Sequence, residues 1–206
     1  MSFDYRVFKL DWKGALRDVQ TYPYPQPVID LLATYYGEPW RHYHTTEHLN
    51  SMQLAMAELG VASPRVKVAA YFHDIIWLPG YPQCEEKSAE LAATILWRNG
   101  ARTAFVEDVQ RLILATKHSG QPPADEFEAQ IRDADLWTLG EPDFDKFLKT
   151  QEDVRKEFPM YDDDVYHAGR VKFFRQMFPQ QIYWTVPGQQ REQQARWNLE
   201  KVGITL

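Results

Sequence analysis

Residues 71–77 read YFHDIIW. His73 and Asp74 stand side by side among Tyr71, Phe72, Ile75, Ile76 and Trp77. Aspartate is almost never fully buried unless it is paired. An unpaired buried carboxylate takes up a proton rather than keep its charge. A His-Asp pair in so apolar a setting therefore calls for partners from elsewhere in the chain, and the fold has to deliver them.

The sequence on either side is helical. Ser63-Pro64 provides a cap and a first position for a helix running to about Ile76. Upstream, 27–36 (PVIDLLATYY) opens on Pro and is stopped by Gly37. From Thr46 to Leu59, Leu49, Met52, Met56 and Leu59 recur at helical spacing before Gly60. Downstream, LPGYPQ (78–83) is a loop and 85–99 a helix closed by Gly100. Phe105, Val109, Leu112, Ile113 and Thr116 mark another apolar face that ends near Gly120. Further helices are expected over 126–139, 143–157, 163–178 and 189–202, and QIYWTV (181–186) is the one strand candidate. The expectation is a single all-α domain of about nine helices, with a core over about 25–158 and an added helical layer over about 159–206.

The 206 residues, 44% apolar and 25% charged, suffice for one sizeable core. A net charge of -6 argues against a nucleic-acid duplex as partner, because backbone binding needs a basic face. Cys84 is the only cysteine, which excludes an internal disulfide and a cysteine-based zinc site. The N-terminus MSFDYRVFKLDW has no apolar run of the signal-peptide kind, and no stretch is apolar enough to span a membrane. A cytoplasmic protein is expected, with its oligomeric state left open.

Six histidines occur, three of them in RHYHTTEHL (41–49). His44 and His48 share a face if the helix already covers both. His118 closes the helix that begins near 105, in TKHSG, and Asp133 and Asp135 sit in RDADLWTLG. Several helix ends thus carry a ligand type embedded in apolar sequence, and the economical explanation is that they meet around a divalent cation. Imidazole nitrogen and carboxylate oxygen without sulfur suit Mn, Fe, Co, Ni or Zn.

In order along the chain, His48, His-Asp at 73–74 and the aspartate of RDADLWTLG resemble the H…HD…D pattern of the HD superfamily of metal-dependent phosphohydrolases. The blocks RHYHTTEHL, AAYFHDIIW, CEEKSAELA, LATKHSG and DADLWTLG are similar to a bacterial subgroup of predicted HD phosphohydrolases, as are VRKEF, Gly169-Arg170, IYWT and EQQARWNL. The resemblance covers roughly residues 25 to 200. It implies an all-helical HD-type bundle, metal ligands at His48, His73, Asp74 and Asp135 with Asp133 the alternative, and one or two ions. It further implies hydrolysis of a phosphate ester, in a nucleotide or related small metabolite, by metal-activated water. Asp74 would orient the water or take its proton, and His118 and His44 would bond a phosphate oxygen or protonate the leaving group. Arg41, Lys87, Lys117 and Arg170 are the candidates to bind the phosphate, and Glu86 to act as an outer carboxylate.

Two other readings compete. HTTEH (44–48) matches the inverted zinc-protease signature, with His44 and His48 on zinc and Glu47 as base, but it leaves His73-Asp74 and the 133–135 aspartates unused. A non-catalytic helical module that binds a nucleotide or metal is the third.

Overall fold

The computed structural model describes residues 5–16, 25–178 and 180–206, and every regular element among them is helical. The helices are α1 (Tyr5–Ala15), α2 (Gln26–Tyr36), α3 (Thr46–Glu58), α4 (Pro64–Phe72), α5 (Cys84–Arg98) and α6 (Thr103–Ala115). They continue with α7 (Glu126–Asp135), a 3-10 turn (Trp137–Gly140), α8 (Phe144–Lys156), α9 (Asp163–Met177), α10 (Val186–Gln189) and α11 (Glu192–Lys201). None is long and apolar enough to cross a membrane.

Local chemistry sets the boundaries. Thr45, Asp125, Asp143 and Asp162 each accept a backbone N–H of the first turn of α3, α7, α8 and α9. Gly60 and Gly100, at φ 68° and 78°, turn the chain after α3 and α5 in the left-handed conformation that glycine adopts without strain.

The buried residues of α4 are Val66, Val68, Ala69, Ala70, Tyr71 and Phe72, six of its nine, because neighbours enclose it. Helices α1, α3, α5, α6 and α7 all pack against it. This central helix delivers His73-Asp74 at its C-terminal end to the middle of the molecule. It stops four residues earlier than expected, at Phe72 rather than Ile76. Beyond it, Ile76 N–H goes to Ser88 Oγ and Leu78 N–H to Cys84 Sγ, so the helical hydrogen-bond pattern is replaced by side-chain partners.

The core also extends further than the expected 25–158. Phe8 and Trp12 of α1 are buried, with Phe8 edge-on to Tyr71 at 4.9 Å, and Tyr71 Oη donates to Asp11 at 2.7 Å. Phe174, Phe178, Ile182, Tyr183, Ala195, Leu199 and Ile204 belong to the same apolar cluster.

The segment 181–186 is not a strand. Glu192 takes the N–H groups of Ile182 and Tyr183, and Asp133 takes those of Trp184 and Thr185 together with the Thr185 hydroxyl. Carboxylates thus satisfy the donors that a partner strand would have satisfied. Asp133, fully buried, is consequently a structural anchor. Asp133→Ala should cost about 3 kcal/mol by stranding those donors, and a urea midpoint equal to that of wild type would sink this assignment.

Candidate metal centre and its cavity

Four of the sequence candidates converge. His48 lies in the first turn of α3, His73 and Asp74 follow α4, and Asp135 ends α7. Helices α3 and α4 both pack against α7, which brings the three chain segments to one point. His48 Nε2 and His73 Nε2 face each other at 3.1 Å. Asp74 Oδ2 is 2.8 Å from His73 Nε2, and Asp135 Oδ1 is 3.3 and 3.4 Å from the two ring nitrogens. One ligand atom from each residue falls within 4.8 Å of all the others, a group that can hold a metal ion.

The donor chemistry fits such an ion. His73 Nδ1 lies 2.8 Å from the Ala70 carbonyl oxygen, which can only accept. That contact puts a proton on Nδ1, so that a neutral ring would turn its Nε2 lone pair into the cluster. His48 Nδ1 is buried with no partner among the described residues. Two imidazole nitrogens and two carboxylate oxygens make a set that suits transition ions.

The charges answer the opening question. Burial alone would raise the Asp74 carboxyl, but the His73 and His44 rings outweigh it and hold it at about 2. Burial likewise opposes ionisation of Asp135, yet His118, His48 and His73 hold it well below the usual carboxylate range. Burial lowers His73, and Asp74 and Asp135 more than reverse that. Without an ion, a His73 imidazolium offsets one of the two carboxylate charges; a divalent cation would offset both.

Outer groups fix the ligands. His118 Nε2 is 2.8 Å from Asp135 Oδ2. Its backbone lies in the left-handed region at φ 50°, an uncommon state for a side-chain-bearing residue, and that turn after α6 aims the ring at Asp135. His44 Nε2 is 3.8 Å from Asp74 Oδ2, its Nδ1 is 2.5 Å from Glu157 Oε2, and its ring stacks on Trp77 at 3.7 Å. Helix α3 begins after His44, so His44 and His48 do not share a helical face.

Glu157, which the sequence did not single out, organises this side of the centre. It accepts from the backbone N–H groups of His42, Tyr43 and His44, from the His44 ring and from Trp77 Nε1. The only trace in the sequence is its place in the block VRKEF.

The other candidates divide. Arg41, 5% exposed, engages four of its five guanidinium N–H groups with Glu38 and with the carbonyls of His44, Asp74 and Ile75. It is largely committed to the backbone that carries His44 and Asp74. Lys87 is also not brought to the site: it is exposed and paired with Glu90 at 2.8 Å. Lys117 does reach the cavity but is paired with Glu86 at 2.5 Å. Glu86 is therefore not bonded to a metal-ligand residue, and its neighbour Glu85 is the carboxylate that faces the cavity. Glu47 is exposed and bonded to the Thr45 and Thr46 hydroxyls, away from the cluster. Arg170 lines the cavity.

That cavity measures about 500 Å³ and opens over Asp74, Asp135, His44 and His118, with α8 and α9 forming its far wall. No family model, curated protein or solved structure matches the chain. The class defined by the observations is thus a helical protein with a buried His-His-Asp-Asp group at the floor of a ligand-sized cavity.

Proposed function

We propose that the chain is a metal-dependent phosphohydrolase of the HD type, acting on a phosphate ester of a nucleotide or related small metabolite. The observation that carries this reading is the convergence of His48, His73, Asp74 and Asp135 beside a cavity that also exposes His44 and Arg170. The ordered sequence blocks point the same way. A divalent ion held by these four residues would polarise a phosphoryl oxygen and acidify a water.

The remaining work falls to the chain itself. Asp74, held ionised, can accept a proton at Oδ2, the oxygen that faces His44 and His73. His44 Nε2 can bond the leaving oxygen, because its Nδ1 is committed to Glu157. His118 acts through Asp135 and is a positioning residue. Arg170 can hold a non-bridging oxygen. The protease reading loses its base, since Glu47 points away from the cluster.

The test is elemental analysis of untagged protein, joined to metal-dependent turnover of a panel of phosphate esters. Wild type should carry stoichiometric transition metal and turn over a member of the panel. Asp74→Ala should lose both and Glu47→Ala should keep both. Wild type that takes up no Mn, Fe, Co, Ni or Zn would overturn the proposal, as would activity that survives Asp74→Ala and dies with Glu47→Ala.

A further inference from the structure

The cavity has an uneven chemistry. Its floor is charged, with Asp74, Asp135 and Glu85. Its far wall is aromatic, built from Phe158, Tyr161, Tyr166, Phe173 and Phe174. Phe158 and Tyr161 present near-parallel rings, 21° apart in plane. The apolar character continues outside, where Leu78, Tyr81, Met160, Tyr161 and Val165 are exposed. The loop carrying Leu78 and Tyr81 lies beside Tyr161, because a Cβ at Gly80 would sit 3.6 Å from the Tyr161 hydroxyl. Tyr161 and Val165 both line the cavity and are exposed, so apolar surface reaches its mouth.

Within this setting one cation has no counter-charge. Arg170 is partly buried, and its only hydrogen bond among the described residues runs from Nη2 to Gln151 Oε1 at 2.8 Å. The guanidinium lies over the Phe174 ring at 4.6 Å, and no described carboxylate pairs with it. Burial lowers its pKa, the mark of a charge short of compensation. Thr116 is engaged with the Ile113 carbonyl, Thr150 with the Lys146 carbonyl, and Lys117 with Glu86. A triphosphate chain would meet three carboxylates, Asp74, Asp135 and Glu85, against one unpaired guanidinium.

We infer that the substrate is an aryl-bearing phosphate monoester, with its single phosphate between the His-Asp cluster and Arg170 and its apolar ring against Phe158, Tyr161 and Phe173. This narrows the proposed phosphohydrolase reading and rests on it for the reaction. The binding mode itself rests on Arg170 and the aromatic wall.

The test is calorimetric titration with two non-hydrolysable probes, benzylphosphonate and methylphosphonate, with ATP as a third ligand. Wild type should bind benzylphosphonate about tenfold or more tighter than methylphosphonate, since only the former buries a ring. Tyr161→Ala, at a residue already 41% exposed and so safe for folding, should shrink that preference while leaving methylphosphonate affinity in place. Arg170→Gln should weaken both phosphonates by roughly tenfold and keep their ratio. Equal affinity for the two phosphonates, no binding of either, ATP the tightest ligand, or indifference to Arg170→Gln would each overturn the inference. The two readings part cleanly. An aryl preference in protein that neither holds metal nor turns over would remove the hydrolase and leave this binding mode. Metal-dependent turnover blind to the ring would do the reverse.

Discussion

Asp135→Ala should strip the chain of its metal and bring ester hydrolysis down to background. Asp135 is the residue where the centre's interactions meet. Its Oδ1 faces both His48 Nε2 and His73 Nε2, and its Oδ2 holds His118. Removing it deletes one ligand and half of the negative charge that makes the cluster attractive to a cation. It also frees the ring of His118. The effect should exceed that of His118→Ala, which removes only an outer partner and should cost about 10–100-fold in metal affinity or rate. Metal content after dialysis and turnover at saturating metal provide the two readings. Full metal occupancy in Asp135→Ala would mean that the ion is held elsewhere.

Glu157→Ala should be the most destabilising single change near the site, at about 3–5 kcal/mol for leaving several buried donors without their acceptor. The residue is 1% exposed, and its loss leaves three backbone N–H groups, an indole N–H and the His44 ring without their acceptor. Its acid response can be stated with its sign. Burial would raise the carboxyl, but the His44 ring and the N–H groups of Tyr43 and His44 hold it down, from 4.5 to about 2. A depressed folded-state pKa contributes stability that is fully present above the unfolded value and is lost as the pH falls through the folded one. Wild type should therefore shed roughly 3 kcal/mol between pH 4.5 and 2 on this account. Urea unfolding of wild type and Glu157→Gln across that window should show the slope in the former and its loss in the latter. Parallel curves would show that His44 and Glu157 do not form the pair described.

Much of the helical order was open to reading because its signals are local. Pro64 at the start of α4 and Gly60 and Gly100 after α3 and α5 act on their nearest neighbours, so a short window contains the cause, although the Ser63 side chain makes no capping bond. The early end of α4 was not visible. Its cause lies in Ser88 and Cys84, which accept N–H groups that the continuing helix would have used. Helix α1 was legible in principle, since Phe8 and Trp12 stand four apart.

The candidate site divides along the same line. Histidine and aspartate are rare in apolar surroundings, so His73-Asp74 stood out by residue type, and the resemblance added His48 and one aspartate of the pair 133 and 135. Arg41 and Glu157 serve backbone groups, and a carbonyl or an N–H has no identity in a sequence. Hence Arg41 was assigned to a phosphate and Glu157 was overlooked. Asp133 and Asp135 stayed unresolved because the choice depends on Trp184 and Thr185, about fifty residues downstream, which claim the former.

The four converging ligand residues all come from positions 48–135, whereas the aromatic wall and Arg170 come from 158–174. On the proposed reading, reaction and selection are written in consecutive stretches of one chain. Changes confined to the later stretch would then retune which ester is admitted and leave the His-Asp group intact. A graft of residues 158–174 between related chains is the natural way to trade preferences.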